Sequence, residues 1–280
     1  MFAAIAPHGD AAIAEAVTAE QASLANRTQA GMQELGRRFA YAKVDAVVIA
    51  TPHNVHLEGH FGVGMGSRVA GDLEDAETPI LLDCEIDLEL AQGILAAMTR
   101  SGIPAQGFSW GGNDRTEAVL PIDWGTLVPL WYMGGRDPRV PVVVVTPARD
   151  LDGDQHVEAG AAIAAAAVAS GKRVAFIASA DQGHCHGSDG PYGFDSASAE
   201  YDARIVELVQ AGQLKPLLDF SPAFIQAAKA DSWWQMVMLH GALGEGWLCD
   251  LLSYEVPTFF GMLCAAFTSL AVPNSSPRSR

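Results

Sequence analysis

Short, uninterrupted apolar runs alternate along the chain with longer stretches in which Ala, Leu, Glu and Gln are mixed. The first kind suits a strand covered on both faces, the second a helix with one buried side. Phe2–Ala6 reads as a buried strand ending at Pro7-His8-Gly9, and residues 10–41 have few breakers and predict a helix. Ala46–Ala50 (AVVIA) is a second buried strand, ending at Thr51-Pro52-His53. The apolar run 79–82 precedes a helix over about 85–101, and Val140–Thr146 (VPVVVVT) predicts a central strand. An Ala-rich helix over 157–170 stops at Gly171, as helices commonly do. The strand Arg173–Ala178 (RVAFIA) then runs into a polar loop over 179–193. Helical patterns follow at 197–211, 222–229 and 233–243, then an extended segment near 257–260 and an apolar stretch over 261–270.

This alternation predicts an α/β fold: a central, mostly buried sheet flanked by helices. No internal repeat and no Gly/Ser/Pro-rich linker divides the 280 residues, so a single domain over 1–272 is expected. The Pro/Ser-rich tail 273–280 is expected to be disordered.

Charge narrows the function. Acidic residues outnumber basic ones 33 to 17, a net charge of −16. Nucleic acid and anionic membranes are poor partners for such a surface, because binding to both depends on Lys and Arg. Cys84, Cys185, Cys249 and Cys264 are far apart and form no CxxC pair. That usage fits a reducing cytoplasm rather than a disulfide framework or a zinc ribbon. No basic leader with a long apolar segment opens the sequence, and no apolar run approaches the ~18 residues of a membrane span. A cytoplasmic protein is expected, with a homodimer as the base-rate assembly.

Candidate chemistry concentrates on histidine. Three of the eight follow strand ends: His8 after FAAIAP, His53 after AVVIATP, and His184 after RVAFIASADQG. Open α/β sheets bind ligands beyond the carboxyl ends of their strands, so these imidazoles are placed to converge on a site there. Imidazole serves both as a transition-metal ligand and as a general acid/base near neutral pH. His56 and His60 rival His53 as ligands, and His186 lies two residues from His184. There is no GxGxxG or GxxxxGK[ST] loop, which argues against a nucleotide site.

At these positions the sequence resembles the class III extradiol ring-cleavage dioxygenases, the family of the protocatechuate 4,5-dioxygenase catalytic subunit. Ala6-Pro7-His8-Gly9 and Val47–His53 (VVIATPH) resemble the segments that carry its two iron-binding histidines. Val174–His184 (VAFIASADQGH) resembles the strand and loop that deliver its acid/base histidine. Trp234–Leu243 (WQMVMLHGAL) resembles the late helix that follows its carboxylate ligand. The likeness implies a 2-His-1-carboxylate Fe(2+) site, a face of ligands that leaves positions open for substrate and O2. His8, His53 and Asp231 would be the ligands, with Glu245 and Glu255 as substitutes for Asp231, and His184 the acid/base. Asp123, Trp124 and His186 are expected beside the substrate. The family's mid-chain Asp-His-Gly here reads Asp123-Trp124-Gly125, so a tryptophan stands where a histidine is usual.

The resemblance implies an extradiol dioxygenase acting on a catechol-like or aminophenol-like ring. The Trp124 exchange leaves room for a binding or signalling member like the Memo proteins. A zinc-dependent hydrolase using the same histidines is the third class.

Overall fold

The computed structural model describes residues 2–111 and 117–269. Eleven strands are found among these residues: β1 (Phe2–Ala6), β2 (Ala46–Ala50), β3 (Phe61–Gly64), β4 (Arg68–Asp72), β5 (Leu81–Glu85), β6 (Ala105–Phe108), β7 (Val119–Pro121), β8 (Val142–Thr146), β9 (Val174–Ser179), β10 (Trp247–Glu255) and β11 (Met262–Ser269). Eight form one mixed sheet in the order β10-β11-β1-β9-β2-β8-β3-β6, and β5-β4-β7 form a small second sheet. The inner strands β1, β9, β2 and β8 are parallel to their neighbours in that group, so their carboxyl ends share one edge. Every residue of these four strands is buried. That explains their lack of polar alternation, because both faces need cover.

Each face has its own core, divided by the two-residue period of a strand. Ile5, Val48, Val145 and Phe176 pack beneath α3 (Leu88–Arg100), α5 (Gly153–Ala169), α6 (Ser196–Gln210) and α8 (Trp233–Leu243). Ala4, Val47, Ile49, Val144 and Ile177 face α2 (Asn26–Ala42), α4 (Trp124–Tyr132) and the small sheet. Helices α5 and α8 touch backbone to backbone. A Cβ on Gly160 would run into the carbonyl of Met238, and one on Gly241 into that of Val157. Two glycines thus let α5 and α8 approach closely, and α8 begins two residues after Asp231.

The expected elements mostly stand, with two differences. The stretch 10–41 is not one helix. It divides into two 3-10 turns (Asp10–Ala12 and Ala14–Ala16), the short α1 (Ala19–Leu24) and α2. Ile13 is fully buried in an extended conformation between the two turns, and Thr18 with Gln21 makes a capping box that starts α1 afresh. The segment near 257–260 is not a strand but the connection between β10 and β11. Its neighbourhood bonds instead to the His184 loop: the Phe259 carbonyl accepts from His186 N–H, and Gly261 exchanges backbone bonds with Gln182 and Gly183. Helix α4 escaped the periodic reading because Pro129 lies inside it and it is apolar nearly all round. The end of the expected domain at 272 and the tail 273–280 lie outside the described residues. Among the described residues no helix is long and apolar enough to cross a membrane.

Candidate metal centre

Two residues past β1 stands His8, three past β2 stands His53, and two past β9 stands Asp181. Parallel pairing of the three strands brings all of them to one edge. Asp231 arrives from the other direction, just before α8. Its side chain does not cap that helix: Ser232 occupies the cap position, with no side-chain cap bond.

His8 Nε2 lies 2.9 Å from His53 Nε2, and Asp231 Oδ2 lies 3.0 Å from His53 Nε2 and 3.4 Å from His8 Nε2. Donor atoms about 2.0–2.2 Å from one metal ion, some 90–110° apart, would be separated by about 3.0–3.4 Å. The triad therefore has the spacing of ligands on one face of an ion. Among the described residues it is the one group of His, Cys, Asp or Glu in which three ligand atoms lie within 4.8 Å of one another. The second Asp231 oxygen, Oδ1, is buried without a hydrogen-bond partner. A buried charged atom left in this way calls for a compensating group, and a cation fits the donor set.

The electrostatics reflect crowding. Burial pushes the pKa of His8 down, but the carboxylates of Asp181 and Asp231 outweigh it and raise it to about 9. Burial alone would raise Asp231; the His8 and His53 imidazoles instead hold it well below the ordinary carboxylate range. Burial lowers His53 despite its bond to Asp231. Asp181, buried beside His8, is raised to about 6 by the same loss of solvent. It accepts a hydrogen bond from the His8 backbone N–H at 3.1 Å, and its other oxygen lies 3.4 Å from His8 Nε2.

Outer groups hold these side chains in place. His8 Nδ1 lies 2.9 Å from Ser179 Oγ, which in turn donates to the Gly125 carbonyl. Gln235 Nε2 donates to the carbonyls of both Ser179 and Asp231, tying the end of β9 to the start of α8. Trp124 stacks on His53 with ring centroids 4.3 Å apart, and both line a cleft of ≈ 460 Å³ with Phe108, Trp110, Leu120 and Ile122.

His184 stands outside the ligand set but near enough for its imidazole to act electrostatically on Asp231 and Asp181. Its Nδ1 donates to the Gln182 carbonyl at 2.8 Å, leaving Nε2 as the acceptor, and its ring stacks on Phe260. The loop carrying it is anchored by the buried Asp202, which accepts from Gly183 N–H, Tyr254 Oη and His186 Nε2. His186 is thus committed to Asp202. Asp123 is likewise engaged: it caps α4 through Thr126 and accepts from Thr51 Oγ1 and Asn54 Nδ2. It lines the cleft, but its carboxylate is already occupied.

The rival ligands lie elsewhere. His56 Nε2 bonds the Pro52 carbonyl and His60 Nδ1 the Glu58 carbonyl. Glu255 accepts from Thr28 N–H. Glu245 follows the far end of α8, and the eleven residues of that helix carry the chain about 16 Å from its start. Ser179, Asp181, Gln235 and Asp202 had no place among the sequence candidates. Asp181 was within reach of the strand-end rule that picks out His8. The others were not, because a Ser, Gln or Asp that braces a site has no distinguishing spacing.

Known proteins resemble this chain over most of its length. Residues 2–263 match the model of the family described as the catalytic LigB subunit of aromatic ring-opening dioxygenase. Protein CA_C1420 of Clostridium acetobutylicum is 22% identical over 251 residues; the match covers 89% of this chain and 53% of that protein. The chain thus spans about half the length of this relative. The crystal structure of the uncharacterized protein JW3007 from Escherichia coli K12 has a similar fold, with a TM-score of 0.60 at 17% identity. That match covers 95% of this chain and 99% of the other.

Proposed function

The chain belongs to the family of catalytic LigB subunits of aromatic ring-opening dioxygenases, and from that premise we propose that it is a non-heme Fe(II) extradiol dioxygenase. Its substrates would be O2 and a catechol-like or aminophenol-like ring, with residues 1–272 acting as one catalytic unit in the cytoplasm. The observation that carries this reading is the meeting of His8, His53 and Asp231 at 2.9–3.4 Å, with Asp231 Oδ1 buried and unpartnered. Two neutral nitrogens and one hard anionic oxygen make the donor set of ferrous oxygenases.

Iron held by His8, His53 and Asp231 would supply the redox chemistry for O2. The chain supplies the remainder. Trp124, Trp110 and Phe108 offer aromatic surfaces on which a ring can lie beside His53. His184, with Nδ1 bonded to a carbonyl, presents Nε2 as the base for a phenolic proton and can return that proton later. Phe259, Phe260 and Tyr192 ring the His184 imidazole and limit water around it.

Anaerobic reconstitution with Fe(II), followed by oxygen-electrode assays over catechol, gallate and aminophenol, tests the proposal. Oxygen uptake with a yellow, conjugated product supports it. An iron-loaded protein that consumes no oxygen with any of the panel refutes it. One observation favours a second reading, a binding member resembling the Memo proteins: Trp124 occupies the place of the family's mid-chain histidine and covers a face of His53. Metal binding and aromatic binding without oxygen uptake would select it.

A further inference from the structure

We propose that Ser179 is a positioning residue of the metal centre, holding the His8 imidazole with its proton on Nδ1 so that Nε2 is bare towards the ligand group. The proposal rests on the reading of His8, His53 and Asp231 as metal ligands. A hydroxyl has one proton to donate and two lone pairs. The Ser179 proton is committed to the Gly125 carbonyl, so towards His8 Nδ1 its oxygen can only accept. In the neutral, metal-competent ring Nδ1 therefore carries the hydrogen, and Nε2 is the nitrogen with the free lone pair.

The need for such a device is particular to this site. Two carboxylate oxygens, from Asp181 and Asp231, lie 3.4 Å from His8 Nε2. Both invite a proton onto the nitrogen that must be bare to bind a metal. Without a fixed acceptor at Nδ1, the neutral ring would keep its hydrogen on Nε2 and point it at those carboxylates. Ser179 opposes this from the other side of the ring.

The brace is built for the purpose at three points. Ser179 is fully buried at the end of β9, directly beside the end of β1 in the parallel ladder. Its backbone carbonyl is held by Gln235, which also holds the carbonyl of Asp231. Position 125 admits no side chain, because a Cβ there would collide with Thr51 Oγ1 and Asp123 Oδ1. The glycine lets the α4 backbone approach until its carbonyl reaches Ser179.

Co(II) titration of the metal-free full chain, with Ser179→Ala beside the wild type, tests the assignment. Removing an outer partner of a ligating histidine typically weakens metal binding 10–100-fold, and a rise in Kd of about that size is expected. A Ser179→Ala protein that melts earlier yet binds Co(II) as tightly as wild type would assign Ser179 to packing alone and overturn the proposal. Should that variant not fold, ¹⁵N NMR of the Zn(II)-loaded wild type decides. The expected result is zinc on Nε2 of His8 with an exchange-protected Nδ1–H; zinc on Nδ1, or an unprotected Nδ1–H, overturns it. Wild type that takes up no Co(II) fails the functional reading and this inference together. Tight wild-type binding with an unchanged variant fails this inference alone.

Discussion

Metal binding at the triad should be strongly pH-dependent, because the ion must displace a proton from His8. In the metal-free chain the Asp181 and Asp231 carboxylates, working against burial, raise His8 to about 9. At pH 7 it is therefore an imidazolium, and Nε2 must lose its proton before it can ligate. Two pH units separate 7 from about 9, at ~1.4 kcal/mol each, so apparent affinity at pH 7 should be about 100-fold weaker than above pH 9. His53 is lowered, chiefly by burial, and is neutral at pH 7, so it adds no proton of its own. The metal-free fold has the opposite dependence. The folded pKa of His8 exceeds its ordinary 6.5, so its stabilising contribution is complete below pH 6.5 and is lost as pH rises through about 9. That contribution is on the order of 3 kcal/mol for this buried group. Chelator-competition titrations with Zn(II) at pH 6.5–9 should give a Kd falling about tenfold per pH unit. Calorimetry in buffers of different ionisation enthalpy should count about one proton released at pH 7. A flat pH profile, or no proton released, would refute a charged His8 in the metal-free site.

Three further outcomes follow from the same geometry. Asp231→Asn should lower metal affinity by at least about 100-fold while the helix still forms, since Ser232 rather than Asp231 holds the cap position; retained iron and activity in that variant would remove Asp231 from the ligand set. His184→Ala should keep its iron and lose turnover by about 10²-fold or more, the scale of a general acid/base, whereas loss of iron would make His184 a ligand. Gly241→Ala drives a methyl into the Val157 carbonyl, and the overpacking should cost about 1–3 kcal/mol or more in denaturant melts and weaken metal binding by shifting the start of α8; unchanged stability and Kd would show that the α5–α8 contact does not set the position of Asp231.

How much of this was legible in the sequence follows from the range of each signal. Strands β1, β2, β8 and β9 are buried on both faces, so their apolar runs are unbroken and their ends plain; His8 and His53 inherit that clarity by standing just beyond them. Helix α8 is legible for the same reason, and with it the position of Asp231. The small sheet was not. β4 and β5 have exposed and buried residues in short alternation and are tied together by pairing across sequence that no local pattern records. The break-up of residues 10–41 depends on where Ile13 finds a core, which is likewise a tertiary fact.

The segment 121–125 marks the boundary between what the sequence reveals and what contact alone decides. Its departure from the family pattern is visible as a letter change, Trp124 for His, and suggests a change in how substrate is held. Only the packing shows that Asp123, Trp124 and Gly125 have separate tasks. Asp123 spends its carboxylate on Thr51, Asn54 and Thr126. Trp124 lays its ring on His53, and Gly125 offers its carbonyl to Ser179. One turn of chain thus touches both histidines of the triad, His53 directly and His8 through Ser179. A tryptophan at the place where the resemblance implies a histidine leaves one titratable group fewer in the cleft, while the contacts to His53 and Ser179 remain. If the proposed reading holds, metal binding and ring cleavage would for that reason be separable in this chain. Measuring the first without the second would identify a family member whose metal centre has been kept while its proton chemistry has contracted to His184.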